Sequence, residues 1–264
     1  MTGVTTVLTF LRATVALRNL NKKELMAIEY GIINPEKDKE LKDKGVKFLP
    51  MIGNKYENGL AYNNQGELLL DGNEYARKKL LVLGESHYIE DYEEGEDISK
   101  FTRWVVGDYC NADSYSARWM NTFTKFARAL AGRETSVAEN RAVWNSFIFY
   151  NYLQVPMSGT RMQGSNEDYE KAIEPFFSVL EMYCPDIVVI WGNRLWNYLP
   201  NTHGFSWEPD IVIDYNEHKW GKYVLSNGKE VKVLPIYHPS VGFSWDYWNI
   251  VIKKGFGYEK KHIF

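Results

Sequence analysis

Four apolar runs, each cut off by polar residues or glycine, constrain the fold of this chain more than any other feature. Leu80-Leu81-Val82-Leu83 stops at Gly84-Glu85-Ser86-His87-Tyr88, and Phe147-Ile148-Phe149-Tyr150 stops at Asn151. Pro185-Asp186-Ile187-Val188-Val189-Ile190-Trp191 stops at Gly192-Asn193, and Val233-Leu234-Pro235-Ile236-Tyr237 stops at His238-Pro239-Ser240. A short continuous apolar run with an abrupt end reads as a buried parallel strand that delivers its last side chains to the carboxyl edge of a sheet. Ligands bind outside that edge in open α/β sheets. The pattern therefore predicts that Glu85, Ser86, His87, Asn151, Asn193 and His238 converge on one cleft.

The segments between the runs carry helical periodicity. Trp119, Phe123, Phe126 and Leu130 recur on one face of a helix over residues 116–130 and read as core packing, with Arg118, Lys125 and Arg128 off the stripe. Residues 169–183 read as helical, and residues 195–199 start a helix after the Trp191-Gly192-Asn193 turn. Asn227-Gly228 between alternating apolar residues predicts a hairpin. Strand, loop and helix alternation implies a three-layer α/β/α sandwich with a mostly parallel central sheet. Residues 79–264 form this α/β unit. Residues 1–78, charge-dense and rich in turn signals, read as a helical arm and irregular extension packed on it, with loops or a small hairpin over residues 47–70.

With 264 residues, 45% hydrophobic and 25% charged, the chain has enough material for one large core. A net charge of −3 gives no global attraction to nucleic acid, so a DNA-binding reading must rest on a local face. The acidic run over residues 90–97 reads as a solvated loop and repels phosphate. Aromatic residues make up 15% of the chain, which suits either a ring-rich core or stacking surfaces for bases or sugars. Two cysteines, Cys110 and Cys184, are too few for a disulfide framework or a four-cysteine cluster and fit a reducing cytoplasm. Residues 4–20 are too short and too charged to span a membrane and lack a signal-peptide layout.

Several chemistries fit parts of the pattern. Ser86 at a strand-to-turn junction could be a nucleophile with His238 as its base, although the turn lacks the second glycine of a nucleophile elbow. His87, His238 and the acidic loop could bind a metal, but without recognisable ligand spacing. No glycine-rich phosphate loop follows any strand, which disfavours a dinucleotide or P-loop cofactor.

Taken together and in order, Gly84-Glu85-Ser86-His87-Tyr88, the strand ending at Asn151, the strand from Pro185 to Gly192, and His238-Pro239-Ser240 resemble the motifs of the uracil-DNA glycosylase superfamily. The resemblance spans residues 79–255. It implies a glycosylase-like fold and hydrolysis of the N-glycosidic bond of a flipped-out base in DNA, leaving an abasic site, without cofactor or metal and as a monomer. The chain departs from the family in motif one. Ser86 stands where active branches carry Asp or Asn, and His87 where proline is common. The departure favours a damaged or modified pyrimidine, such as a modified cytosine, over plain uracil, and a role in DNA repair or in defence against phages with modified DNA. It also leaves open a catalytically silent member that binds or senses nucleic acid, beside the serine hydrolase.

Base excision builds positive charge on the sugar and negative charge on the departing base, so a site needs a carboxylate near the sugar or its water and a donor near the base. Glu85 is the acid of the motif-one turn and Asp91 its runner-up. His238 is the donor to the leaving base, and Asn151 offers both donor and acceptor to a pyrimidine edge. Tyr88 walls the pocket, with Ser86 and His87 beside it. Backbone amides near Gly84, Ser240 and Gly242 would grip phosphates. Val241, Gly242 and Phe243 would form the wedge that holds the duplex open.

Overall fold

The computed structural model describes residues 29–71, 77–89, 92–115, 117–159, 162–240 and 242–258. The expected amino-terminal arm before residue 29, Asp91 and Val241 lie outside the described residues. In chain order the elements are α1 (Pro35–Asp43), β1 (Met51–Ile52), β2 (Ala61–Tyr62), β3 (Leu68–Leu69), β4 (Leu80–Gly84), α2 (Phe101–Asn111), α3 (Met120–Ala131), α4 (Val137–Trp144) and β5 (Ile148–Asn151). They continue with α5 (Asn166–Lys171), α6 (Ile173–Tyr183), β6 (Ile187–Trp191), α7 (Asn193–Tyr198), β7 (Ser206–Trp207), β8 (Ile211–Ile213), β9 (Asn216–His218), β10 (Gly221–Val224), β11 (Glu230–Ile236) and α8 (Trp245–Gly255).

The main sheet has the order β1-β5-β4-β6-β11-β10-β7. Its four central strands, β5, β4, β6 and β11, are parallel, and they are the four apolar runs of the sequence. Short antiparallel strands close both sides: β1 against β5, and β10 and then β7 beyond β11.

Side chains alternate across the central strands and feed two cores. Leu80 and Val82 join Phe149, Val189 and Leu234 in the core covered by α2, α3, α4 and α8. Leu81 and Leu83 join Tyr150, Val188, Ile190 and Val233 in the core covered by α1 and α6. Burial on both faces explains why these strands read as unbroken apolar runs. The protein is thus an α/β fold with a mostly parallel central sheet flanked by helices.

Three details differ from the sequence reading. Residues 47–70 do contain a hairpin, β2–β3, but Met51 and Ile52 join the central sheet as its edge strand. Residues 169–183 are helical as expected but in two pieces: α5 ends at Lys171 and α6 starts at Ile173. Pro175 is the cause, because its ring lacks an N–H and collides with the carbonyl four residues earlier, that of Lys171. Along α3, Phe123, Phe126 and Leu130 are buried as expected, whereas Trp119 stands 37% exposed at the helix start, edge-on to Phe123.

Candidate functional site

Register places the ends of the four parallel strands side by side. Gly84 pairs with Asn151, Leu83 with Ile190, and Trp191 with Ile236. The motif-one turn, Asn151, the Gly192-Asn193 turn and His238 therefore leave the sheet at one carboxyl edge, in the order Asn151, Gly84, Trp191, Ile236.

Gly84 and Asn151 fit only as a pair. A Cβ on Gly84 would lie 2.0 Å from Asn151 Oδ1, so the amide occupies the space that any other residue would fill. Asn151 is 4% exposed. Buried Gln154 secures the chain around it: its amide nitrogen donates to the Tyr150 hydroxyl (2.8 Å) and to the carbonyls of Asn151 (3.2 Å) and Tyr152 (2.8 Å). Its carbonyl accepts from the amides of Lys47 (2.8 Å) and Phe48 (3.3 Å).

Glu85 is held on three sides. Arg194 Nε donates to Oε1 at 2.7 Å, Arg194 Nη2 donates to Oε2, and the Tyr169 hydroxyl donates to Oε1. The Glu85 side chain is 12% exposed and that of Arg194 38%. Tyr169 stacks face to face on Tyr198 of α7 at 3.7 Å. Burial, then the Glu85 carboxylate, raise the Tyr169 pKa, so the phenol keeps its proton and remains a donor. Both Glu85 oxygens are thus engaged, and the carboxylate orients Arg194 as much as it faces a substrate.

His238 leaves β11 into a tight turn in which the Ser240 amide donates to the His238 carbonyl at 2.6 Å, closing a three-residue γ-type ring. The Lys125 ammonium donates to the Ser240 carbonyl at 2.5 Å and fixes the loop from outside. Gly192 turns away from β6 with φ +99°, a conformation that favours glycine, and the His238 Cβ lies 3.7 Å from where its own Cβ would be. The His238 residue is exposed, but its ring sits edge-on to buried Trp191 at 5.8 Å. Partial desolvation lowers its pKa; the Glu85 charge pulls it up and the Arg194 charge pushes it down. At neutral pH the ring is a neutral imidazole, with one nitrogen donor and one acceptor.

Of the residues expected in the cleft, Gly84, Glu85, Asn151 and His238 share the edge, with Asn193 opening α7 beside them. Tyr88 is 41% exposed, and its oxygen is close enough to influence Arg194. His87 is not in the cleft. The segment after β4 stays extended along Met157, so alternate side chains face opposite ways: Tyr88 outward, His87 and Ile89 inward. His87 is 5% exposed, packed between Phe48 (4.9 Å) and Phe101 (5.0 Å), with Nε2 2.8 Å from Thr102 Oγ1. Burial pushes its pKa down to about 3. Ser86 Oγ is buried and has no hydrogen-bond partner, so His238 does not activate it as a nucleophile here. Phe243 is 7% exposed and lies parallel to Trp248 at 6.2 Å, so it is a core residue and does not project as a wedge. Gly242 is exposed with φ +74°.

The chain matches no family model and no curated protein.

Among the described residues no three His, Cys, Asp or Glu side chains are grouped as a metal would require. No described helix is long and apolar enough to cross a membrane. Arg194, Tyr169, Gln154 and Lys125 are the site residues that the sequence reading passed over. Arg194 carried a usable signal, a cation in the first turn after a strand-ending glycine; Tyr169 and Lys125 carried none.

Proposed function

We propose that this protein is a DNA glycosylase of the uracil-DNA glycosylase type, hydrolysing the N-glycosidic bond of a flipped-out damaged or modified pyrimidine. The observation that carries this reading is the register that sets Gly84-Glu85, Asn151 and His238 on one sheet edge. Hydrolysis breaks the bond between C1′ and the base nitrogen. Water adds to C1′, and the base leaves with the bonding pair and acquires a proton. Charge on the departing base is the demand that an imidazole N–H can meet, and neutral His238 supplies one at the mouth. The Asn151 amide can pair with the polar edge of a pyrimidine. Ion-paired Glu85 contributes by fixing Arg194 and by the field it sets up around His238.

One observation favours a second reading, a silent nucleic-acid-binding member. Both Glu85 oxygens are already engaged, and Ser86 offers no base in place of a water-orienting acid.

The test uses duplexes carrying uracil, hypoxanthine, hydroxymethylcytosine or its glucosylated form, followed by alkali to cleave abasic sites. The enzyme reading expects strand scission on at least one duplex, lost in His238→Ala and in Asn151→Ala. Binding without scission on every substrate moves the conclusion to the silent reading. Neither binding nor scission overturns both.

A further inference from the structure

The wedge expected from residues 241–243 has no ring to offer, because Phe243 is packed in the core. Another ring stands free nearby. The β8–β9 hairpin turns through Asp214 (φ +45°) and Tyr215 (φ +66°), two consecutive left-handed residues. This two-residue turn favours asparagine and glycine, and glycine above all at its second position. Tyr215 occupies that position at 102% relative exposure, with no contact that would offset the strain. Backbone strain of this kind persists where surrounding structure enforces it, and it concentrates at functional sites.

The hairpin behind the ring is anchored on α8. Ile211 and Ile213 are buried in the core shared with α8, and Lys254 of α8 donates to the Val212 carbonyl at 3.1 Å. His218 lies 2.7 Å from the Tyr247 hydroxyl, and its ring packs on Trp248. The Asn216 amide donates to the Asp214 carbonyl at 3.3 Å, and Tyr237 packs on the same Trp248 ring at 5.0 Å. Tyr237, 56% exposed, is the residue before His238. His218 of the hairpin and Tyr237 at the end of β11 thus share one ring, Trp248, which sets the hairpin beside the carboxyl end of β11. Asp214 and Glu217 beside the tip repel phosphates, so what the tip presents to a nucleic acid is a ring face.

We propose that Tyr215 is a stacking finger that packs against an unpaired nucleobase next to the nucleotide drawn into the site. This deepens the glycosylase reading and rests on it. Stacking of a base on an aromatic ring is sequence-tolerant and needs no net positive charge, which suits a chain of net charge −3.

The experiment measures fluorescence anisotropy of a labelled duplex with a tetrahydrofuran abasic site, together with thermal unfolding, for the wild-type chain, Tyr215→Gly and Tyr215→Phe. Glycine removes the ring and relieves the positive φ, so Tyr215→Gly should melt higher than wild type yet bind roughly tenfold more weakly, about the effect of losing one stacked base. Tyr215→Phe keeps the ring and should bind like wild type. Wild-type binding that Tyr215→Gly leaves unchanged overturns the finger and leaves the glycosylase reading standing. Weakening in Tyr215→Phe equal to that in Tyr215→Gly also overturns it, since the hydroxyl and not the ring would then be responsible. If the wild-type chain binds neither this duplex nor its single strands, both fall.

Discussion

Lowering the pH from about 7.5 to about 5 should cost this protein close to 2 kcal/mol through His87 alone. In the folded chain the ring is sealed between Phe48 and Phe101, and burial holds its pKa near 3, against 6.5 for the free side chain. The unfolded chain therefore binds a proton that the folded chain refuses. The stability from keeping His87 neutral is present above pH 6.5 and is lost as pH falls through the window from about 6.5 towards about 3. The linkage relation for these two values gives a loss of about 2 kcal/mol by about pH 5, and little above about pH 7. Urea unfolding at several pH values measures the slope. His87→Phe keeps an aromatic ring, a slightly larger one, between Phe48 and Phe101 and removes the proton site, and the Thr102 hydroxyl can turn to the Ile98 or Ser99 carbonyl just before its helix. His218 and His238, whose pKa values are also lowered by burial, titrate in the same direction in both proteins and cancel on subtraction. Wild type should lose about 2 kcal/mol more than the variant over this range. Equal losses would show that His87 is accessible to protons in the folded state, and the account of its burial would fail.

Gly84→Ala should destabilise by about 1–3 kcal/mol, because its Cβ must displace the Asn151 amide, and any scission activity should fall as far as in Asn151→Ala. Arg194→Met should cost about 1–3 kcal/mol in urea melts, since Glu85 at 12% exposure is left without its cation; the figure stays below that of a buried pair because Arg194 is itself partly solvated. Arg194→Lys should recover only part of it, as an ammonium cannot reproduce the two-pronged contact. The His238 ring should titrate by NMR at a higher pKa in Arg194→Met and at a lower one in Glu85→Gln; no movement in either would separate His238 from that pair. Arg103, fully buried between Glu29 and Asp38, should cost about 3–5 kcal/mol as Arg103→Met, with urea unfolding as the readout.

The central sheet was legible because its strands are buried on both faces, and such strands cannot hide: each needs an unbroken apolar run. The edge strand at Met51–Ile52 makes only two pairings and leaves no pattern to read. The break before α6 was written in Pro175, but apolar periodicity on either side masked it. In the site, the residues at strand ends were readable because strand polarity fixes where they emerge. His87 shows the limit of that reasoning. Two residues beyond Glu85 the chain remains extended, so the motif continues in sequence while its side chains point to opposite sides. Phe243 was misplaced for a similar reason: proximity in sequence to His238 says nothing about the pull of Trp248, which buries it. Partners from distant segments, Tyr169 and Lys125 among them, meet the site only through tertiary packing.

The arrangement divides the site into groups that are held and groups that are free. Tyr198 braces Tyr169, Tyr169 and Arg194 fix Glu85, and Asn151 is locked over Gly84. A partly buried ion pair of this kind adds little net stability, since desolvation offsets much of its attraction. What it does provide is a fixed carboxylate and a fixed guanidinium that act on His238 in opposite directions, the first raising its pKa and the second lowering it. The ring's basicity is then set mainly by its packing on Trp191, which keeps it neutral at physiological pH and able to donate a single hydrogen bond. Glu85 offsets the charge of Arg194, and a chain of net charge −3 has no overall attraction for phosphates over a distance. Under the proposed function, affinity for nucleic acid would come from short-range terms, chiefly backbone amides at the strand ends and exposed rings such as Tyr88, Tyr215 and Tyr237. Under that proposal the site would select for a base that is already unpaired or easily everted, because little phosphate attraction is available to offset the cost of opening a stable pair.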